Sequence, residues 1–132
     1  NGAFRHVNNI AFSNCTIDRM PAIQGRAPYM ATPAGGPQIG NPADPNVTNV
    51  TVDHFTSMAT GDDSLALFNV DNANIKNVSV SDSFSRGLLL FNSDATVLSA
   101  NTLTRCPFAQ CDGPREKSSG LPPGTLCRYS MK

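Results

Sequence analysis

The segment Asn49-Val50-Thr51-Val52-Asp53-His54-Phe55-Thr56 decides the fold. Its valines alternate with small or polar residues, the period-2 signature of a short strand with one buried face. The grammar is Asn, apolar, small, apolar, small, then a residue able to hydrogen-bond. It returns in Asn9-Ile10-Ala11-Phe12-Ser13-Asn14-Cys15-Thr16-Ile17 and in Asn77-Val78-Ser79-Val80-Ser81-Asp82-Ser83-Phe84. Thr96-Val97-Leu98-Ser99-Ala100-Asn101-Thr102-Leu103 keeps only its end, with a slip of one position.

Two of these segments are followed by another strand-like run, Ser64-Leu65-Ala66-Leu67-Phe68 and Gly87-Leu88-Leu89-Leu90-Phe91, with Phe68 and Phe91 23 residues apart. The irregularity lies in the connections, above all residues 27–45. There Pro28, Pro33, Gly35, Gly36, Pro37, Gly40, Pro42 and Pro45 predict a long loop. Several short strands per repeat of roughly 20 to 30 residues describe an all-β protein, a parallel β-helix. Its inward positions are expected at Ile10, Phe12, Val50, Val52, Val78 and Val80. Asn14, His54, Asp82 and Asn101 are expected as a polar ladder at a turn, where Asn and Asp tolerate the left-handed conformation. His54 then reads as a ladder residue rather than a catalytic base. Asn14 would lie inside the turn, so its glycosylation sequon should stay unmodified. A β-sandwich is the alternative fold, weakened because no Asn-Gly hairpin signal stands between the strands.

Composition agrees. The chain has 132 residues, one domain's worth, with 10 basic and 10 acidic residues. Zero net charge gives no electrostatic footprint for nucleic acid or an anionic membrane. Only 15% of residues are charged, against roughly 25% in an average domain; Asn, Ser, Thr, Gly and Pro fill the difference and favour turns over helices. No segment is apolar and long enough to span a bilayer, and the first residues do not read as a signal peptide. A chain that starts with Asn and has no initiating Met reads as processed or excised from something longer.

Four cysteines stand at positions 15, 106, 111 and 127. Their C-x4-C-x15-C spacing is not that of a zinc site, so disulfides are expected, with three pairings open. Four sequons, at Asn14, Asn46, Asn49 and Asn77, add weak support for a secreted protein, extracellular or periplasmic. Residues 1–104 are therefore expected to form β-helix coils. Residues 105–132 are expected to be a Cys-rich irregular tail that caps the open strand edges of the last coil.

The chemistry centres on Thr60-Gly61-Asp62-Asp63-Ser64. Adjacent acids entering an apolar strand are costly unless they face water or ligand. A strand would send Asp62 and Asp63 to opposite faces, whereas a turn at Gly61 would bring both to one cleft. Two carboxylates in one site divide into an acid and a base, the division that glycoside hydrolysis needs. A simple turn and a calcium site remain open on the same residues.

Asn49-Val50-Thr51-Val52 followed by Thr60-Gly61-Asp62-Asp63-Ser64-Leu65-Ala66-Leu67 resembles the polygalacturonase-type glycoside hydrolases of the pectin-lyase-like superfamily. The resemblance covers roughly residues 46–104. It implies a right-handed parallel β-helix, Asp62 as general acid and Asp63 as the carboxylate that helps activate water with inversion. No cofactor and no metal are implied. Where the family has Gly-His-Gly one coil later, this chain has Ser85-Arg86-Gly87, and the family's Arg-Ile-Lys motif is missing. Arg86, with Arg26, is expected to bind sugar. The family's further Asp, one coil before the pair, has no counterpart among Ala22-Ile23-Gln24-Gly25-Arg26; Asp44 stands at a plausible distance but within the Pro-rich loop.

The expectation is an inverting glycoside hydrolase acting on a polysaccharide or oligosaccharide. A non-catalytic, tailspike-like binding β-helix and a polysaccharide lyase are its alternatives. About four coils fit in 132 residues, so the chain reads as the C-terminal portion of a longer β-helix, completed by a missing N-terminal part or by another chain.

Overall fold

The computed structural model describes residues 2–18, 35–106 and 108–112, and these form eleven strands and no helix. They are β1 (Gly2–Phe4), β2 (Ile10–Asp18), β3 (Pro37–Ile39), β4 (Val47–Met58), β5 (Leu65–Phe68), β6 (Val70–Lys76), β7 (Ser79–Ser81), β8 (Arg86–Phe91), β9 (Ala95–Ser99), β10 (Thr102–Thr104) and β11 (Phe108–Asp112). One sheet runs β1-β3-β5-β8-β11, in chain order. The other runs β10-β7-β4-β6-β9, with β2 also on β4. Every pairing is parallel. The protein is therefore all-β, built from two parallel sheets between which the chain alternates.

The repeat is set by register. Val50 pairs with Ala73, Thr56 with Ser79, Leu65 with Leu88 and Ser79 with Thr102, each an offset of 23 residues. β4 is twelve residues long. Its first half carries β6 and its last three residues carry β7. Ile10 pairs with Val50 at an offset of 40, the extra chain lying in the Pro- and Gly-rich connection.

Bends divide the long strands. Asn9, Asn49 and Asn72 have φ of 58°, 59° and 62°, and fall in one column by the same register. Asn14, His54, Asn77 and Ala100 form a second column, with φ between 53° and 55°. Ala59, Asp82 and Arg105 form a third, and Asn69 and Asn92 a fourth. Asn is suited to this left-handed region because its short amide bonds locally. Here the amides bond along the stack: Asn72 Nδ2 donates to Asn49 Oδ1 at 2.7 Å, and Asn49 Nδ2 to Asn9 Oδ1 at 2.9 Å. Asn72→Val should therefore cost about 2 kcal/mol, and Asn72→Gly much less, in equilibrium denaturant unfolding.

The ladder expected at Asn14, His54, Asp82 and Asn101 is corrected by these columns. Asn14 and His54 do share a bend, but Asn77 and Ala100 continue it; Asp82 belongs with Ala59 and Arg105. The physical reason is that bends come in pairs five residues apart, at Asn9 and Asn14, Asn49 and His54, and Asn72 and Asn77. Matching Asn49 to Asn77 is an offset of 28, five more than the true 23. Asn101 lies just past its bend and fastens two repeats: its Oδ1 accepts from Val78 N at 3.0 Å and its Nδ2 donates to the Ile75 carbonyl at 3.1 Å. Asn14 sits at a bend of β2 but is exposed there, so burial gives its sequon no protection.

The core lies between the sheets. Val50, Val52, Val78 and Val80 are buried as the alternation predicts, with Ile10 at its edge; Phe12 is half-buried against them. Two expected irregular stretches contain strands. Within 27–45, residues 37–39 form β3, with Pro37 at its first position, where a missing N–H is tolerated; residues 27–34 lie outside the described ones. Within 105–132, residues 108–112 form β11 on β8; residues 113–132 lie outside. Cys15 and Cys106 are free thiols, contrary to a disulfide at either. The Cys106 side chain points inward, its Sγ against the Val80 and Thr104 carbonyls. Cys127 lies outside the described residues. None of the described residues forms a helix long and apolar enough to cross a membrane.

Candidate functional site

β4 ends at Met58 and the chain turns through Ala59, at φ 55°. Residues 60–64 then form a loop that delivers the chain to β5. Asp62 and Asp63 are therefore on a loop, not on strand faces that must diverge. Asp62 is exposed, whereas the Asp63 side chain keeps only 11% of its surface.

The loop rests on the backbone of the preceding repeat. Gly36 N donates to the Asp63 carbonyl at 2.8 Å. A Cβ on Gly35 would stand 2.6 Å from the Asp63 carbonyl oxygen, and one on Gly36 1.8 Å from that of Ser64. Only glycine permits so close an approach. Gly35-Gly36 thus occupies the place, one repeat before the acids, where residues 22–26 were expected; those residues, Arg26 included, lie outside the described ones.

The next repeat covers the loop from the other side. The offset of 23 sets Phe84 against Gly61, Ser85 against Asp62 and Arg86 against Asp63. Phe84 N donates to the Thr60 carbonyl and Ser64 N to the Arg86 carbonyl, both at 2.9 Å. Beneath them the buried hydroxyls of Thr60, Ser64 and Ser83 bond to one another. Ser83 Oγ also donates to the Asp62 carbonyl at 3.2 Å or to that of Arg86 at 3.1 Å. This buried knot fixes the backbone on which both acids stand.

Arg86 grips Asp63 with two parallel bonds, Nε to Oδ1 at 2.6 Å and Nη2 to Oδ2 at 2.9 Å. Ser85 Oγ and Arg86 N donate to the same Oδ1, at 3.1 and 3.2 Å. Arg86 is therefore brought to the acid pair, as expected, but as the partner of Asp63. Among the described residues the Asp62 carboxylate makes no hydrogen bond. Asp82 and Arg105, one bend away, form a second bidentate pair, and Arg105 holds the Asp82 carboxyl below the usual carboxylate range. Phe84 stands on the same rim with 46% of its surface exposed.

Two other candidates are placed elsewhere. Asp44 is held by Arg5 through Nε and Nη2, at 2.5 and 2.8 Å, which removes it from the acid loop. His54 is exposed in its bend, with Nδ1 2.7 Å from Asp53 Oδ1. Among the described residues no three His, Cys, Asp or Glu side chains converge to hold a metal. An apolar recess of about 240 Å³ lies beside β1 and β2, and the described residues that line it, Phe4, Phe12, Cys15, Ile17 and Phe55 among them, include no charged side chain.

The carboxyls of Asp44, Asp53 and Asp82 are lowered chiefly by hydrogen bonds from Arg5, Asn77 and Arg105 respectively. Depressed carboxylates stabilise the fold above their unfolded value of about 4, and that stability is lost as pH falls through the lower folded value. Stability should be nearly flat from pH 7 to about 5 and fall below about 4. Arg105→Met should flatten part of that fall in acid titrations followed by circular dichroism.

Residues that the sequence reading missed are Gly35, Gly36, Thr60, Ser64, Ser83, Phe84 and Ser85. The signal for the last three was the 23-residue offset itself, which aligns Ser83-Phe84-Ser85-Arg86 with Thr60-Gly61-Asp62-Asp63. Compared with known protein families, with curated proteins and with solved structures, the chain matches none.

Proposed function

We propose that this chain is a carbohydrate-active right-handed parallel β-helix, and that the loop bearing Asp62 and Asp63 is the site of inverting glycoside hydrolysis. The alternation of the chain between two parallel sheets, with an offset of 23 residues recurring from β4 to β10, supports the solenoid. Crossovers between parallel strands are right-handed in nearly all proteins, which supports the hand.

One observation carries the enzymatic reading: adjacent carboxylates on one loop have unequal surroundings. Asp63 is gripped by Arg86 and half-buried; Asp62 is exposed, with its oxygens open. Glycoside hydrolysis by an acid and a carboxylate needs that inequality, and the resemblance to polygalacturonase-type hydrolases supports inversion. Asp62 is assigned to deliver a proton to the leaving glycosidic oxygen. Asp63, positioned by Arg86, is assigned to orient the attacking water. The fit of a glycan is natural for a rim of carboxylates and hydroxyls with one exposed ring.

A second reading has its own support. Asp63 Oδ1 already accepts three donors, the mark of a carboxylate serving to build the loop, as in a binding module without turnover. Incubation with a panel of polysaccharides, read by new reducing ends, separates the two. Hydrolysis of at least one glycan is expected; binding without any cleavage would leave the module reading in place.

A further inference from the structure

We infer that the site takes neutral glycans and rejects uronates, with Phe84 as the platform for the sugar ring; this rests on the carbohydrate reading above. Among the described residues, the rim formed by residues 60–64, 82–86 and 105 carries three carboxylates, Asp62, Asp63 and Asp82, and two guanidiniums, Arg86 and Arg105. Its net charge is one negative. Each guanidinium is already engaged in a bidentate pair, Arg86 on Asp63 and Arg105 on Asp82. Recognition of a sugar acid calls for a guanidinium or ammonium that can turn its donors to the ligand. Here turning either one would strip a carboxylate of its partner, and the exposed charge of Asp62 would still face the incoming uronate. A neutral sugar meets no such conflict, because its hydroxyls donate to Asp62 and its apolar ring face covers exposed aromatic surface.

Phe84 supplies that surface. It is 46% exposed on the loop whose next two residues, Ser85 and Arg86, bind Asp63. Its main chain is bonded to Thr60 across the repeat, above Gly61, which has no side chain to compete for the space. An exposed phenyl ring, on the residue that the register sets against Gly61 and one position from the partner of Asp62, suits a pyranose, one face apolar and the edge hydroxylated.

The test uses Phe84→Trp in the full chain. The sequence contains no Trp, so the substituted position becomes the sole indole reporter. Its fluorescence is titrated with neutral hexasaccharides of glucose, galactose, mannose and xylose, and with hexagalacturonate. At least one neutral hexamer should shift the emission, and Phe84→Ala should weaken its binding at least tenfold by calorimetry, with the circular dichroism unchanged. Asp62→Asn should narrow the gap between galactose and galacturonate hexamers. Tighter, salt-sensitive binding of hexagalacturonate would overturn the neutral-glycan inference while leaving a sugar site standing. Neutral binding that leaves both the indole emission of Phe84→Trp and the affinity of Phe84→Ala unchanged would overturn the platform. No binding by any hexamer would overturn the carbohydrate reading together with the inference.

Discussion

Asp62→Asn should lower turnover by about a thousandfold while leaving stability within about 0.5 kcal/mol of the parent. The two halves of that expectation come from one observation: the Asp62 side chain is exposed, and its oxygens are bonded to nothing among the described residues. Replacing its carboxyl costs the fold nothing, but removes the group assigned to deliver the proton. Asp63→Asn should behave differently. It loses turnover as well, but it also leaves Arg86, 29% exposed, without its bidentate partner. That should cost about 1–2 kcal/mol, after allowance for solvent at the rim. Urea unfolding beside initial rates measures both effects on the same preparations. Equal destabilisation by the two substitutions would contradict the assigned roles.

Gly36→Ala should be severely damaging for so small a substitution. The added methyl would stand 1.8 Å from the Ser64 carbonyl oxygen and 2.8 Å from its carbon, which are backbone atoms with no rotamer to yield. Relief requires separating two repeats and breaking the bond from Gly36 N to the Asp63 carbonyl. A cost of about 3 kcal/mol is expected, a fall in Tm of roughly 10 °C or more. The acid loop moves with that backbone, so activity should fall even where the protein remains folded. Gly2→Ala is the control, since its methyl would meet only the far edge of the Phe4 ring, at 3.4 Å. A Gly36→Ala protein that melts like the Gly2→Ala control would refute the close stacking of the repeats.

Much of the strand content was legible because burial on one face forces alternation. Val50, Val52, Val78 and Val80 are at most 1% exposed. The order of the repeats was harder to see. The 23-residue offset was visible between Phe68 and Phe91, but the Asn-led grammar occurs at two bends in each repeat, and matching the wrong bends moved Asp82 into a false ladder. β3 was hidden because Pro and Gly signal loops, and here Pro37 opens a strand while Gly35 and Gly36 are required by the closeness of the next repeat. The acid pair itself stood out, since adjacent charges before an apolar strand are rare. Its surroundings did not, because Ser85, Arg86 and Phe84 reach it only through pairing between repeats. Arg86 illustrates the limit: sequence put it near the acids, but only the pairing of its guanidinium with Asp63 shows that it holds a carboxylate rather than facing ligand alone.

The assignment of hydrolysis to the Asp62 and Asp63 loop is tested most directly by proton NMR of the anomeric signals during cleavage of the glycan found in the panel. The first product formed by the parent protein should carry the inverted anomeric configuration, and Asp62→Asn, still folded and still binding the glycan, should form almost none. Retention of configuration, or undiminished turnover in both Asp62→Asn and Asp63→Asn, would contradict that assignment.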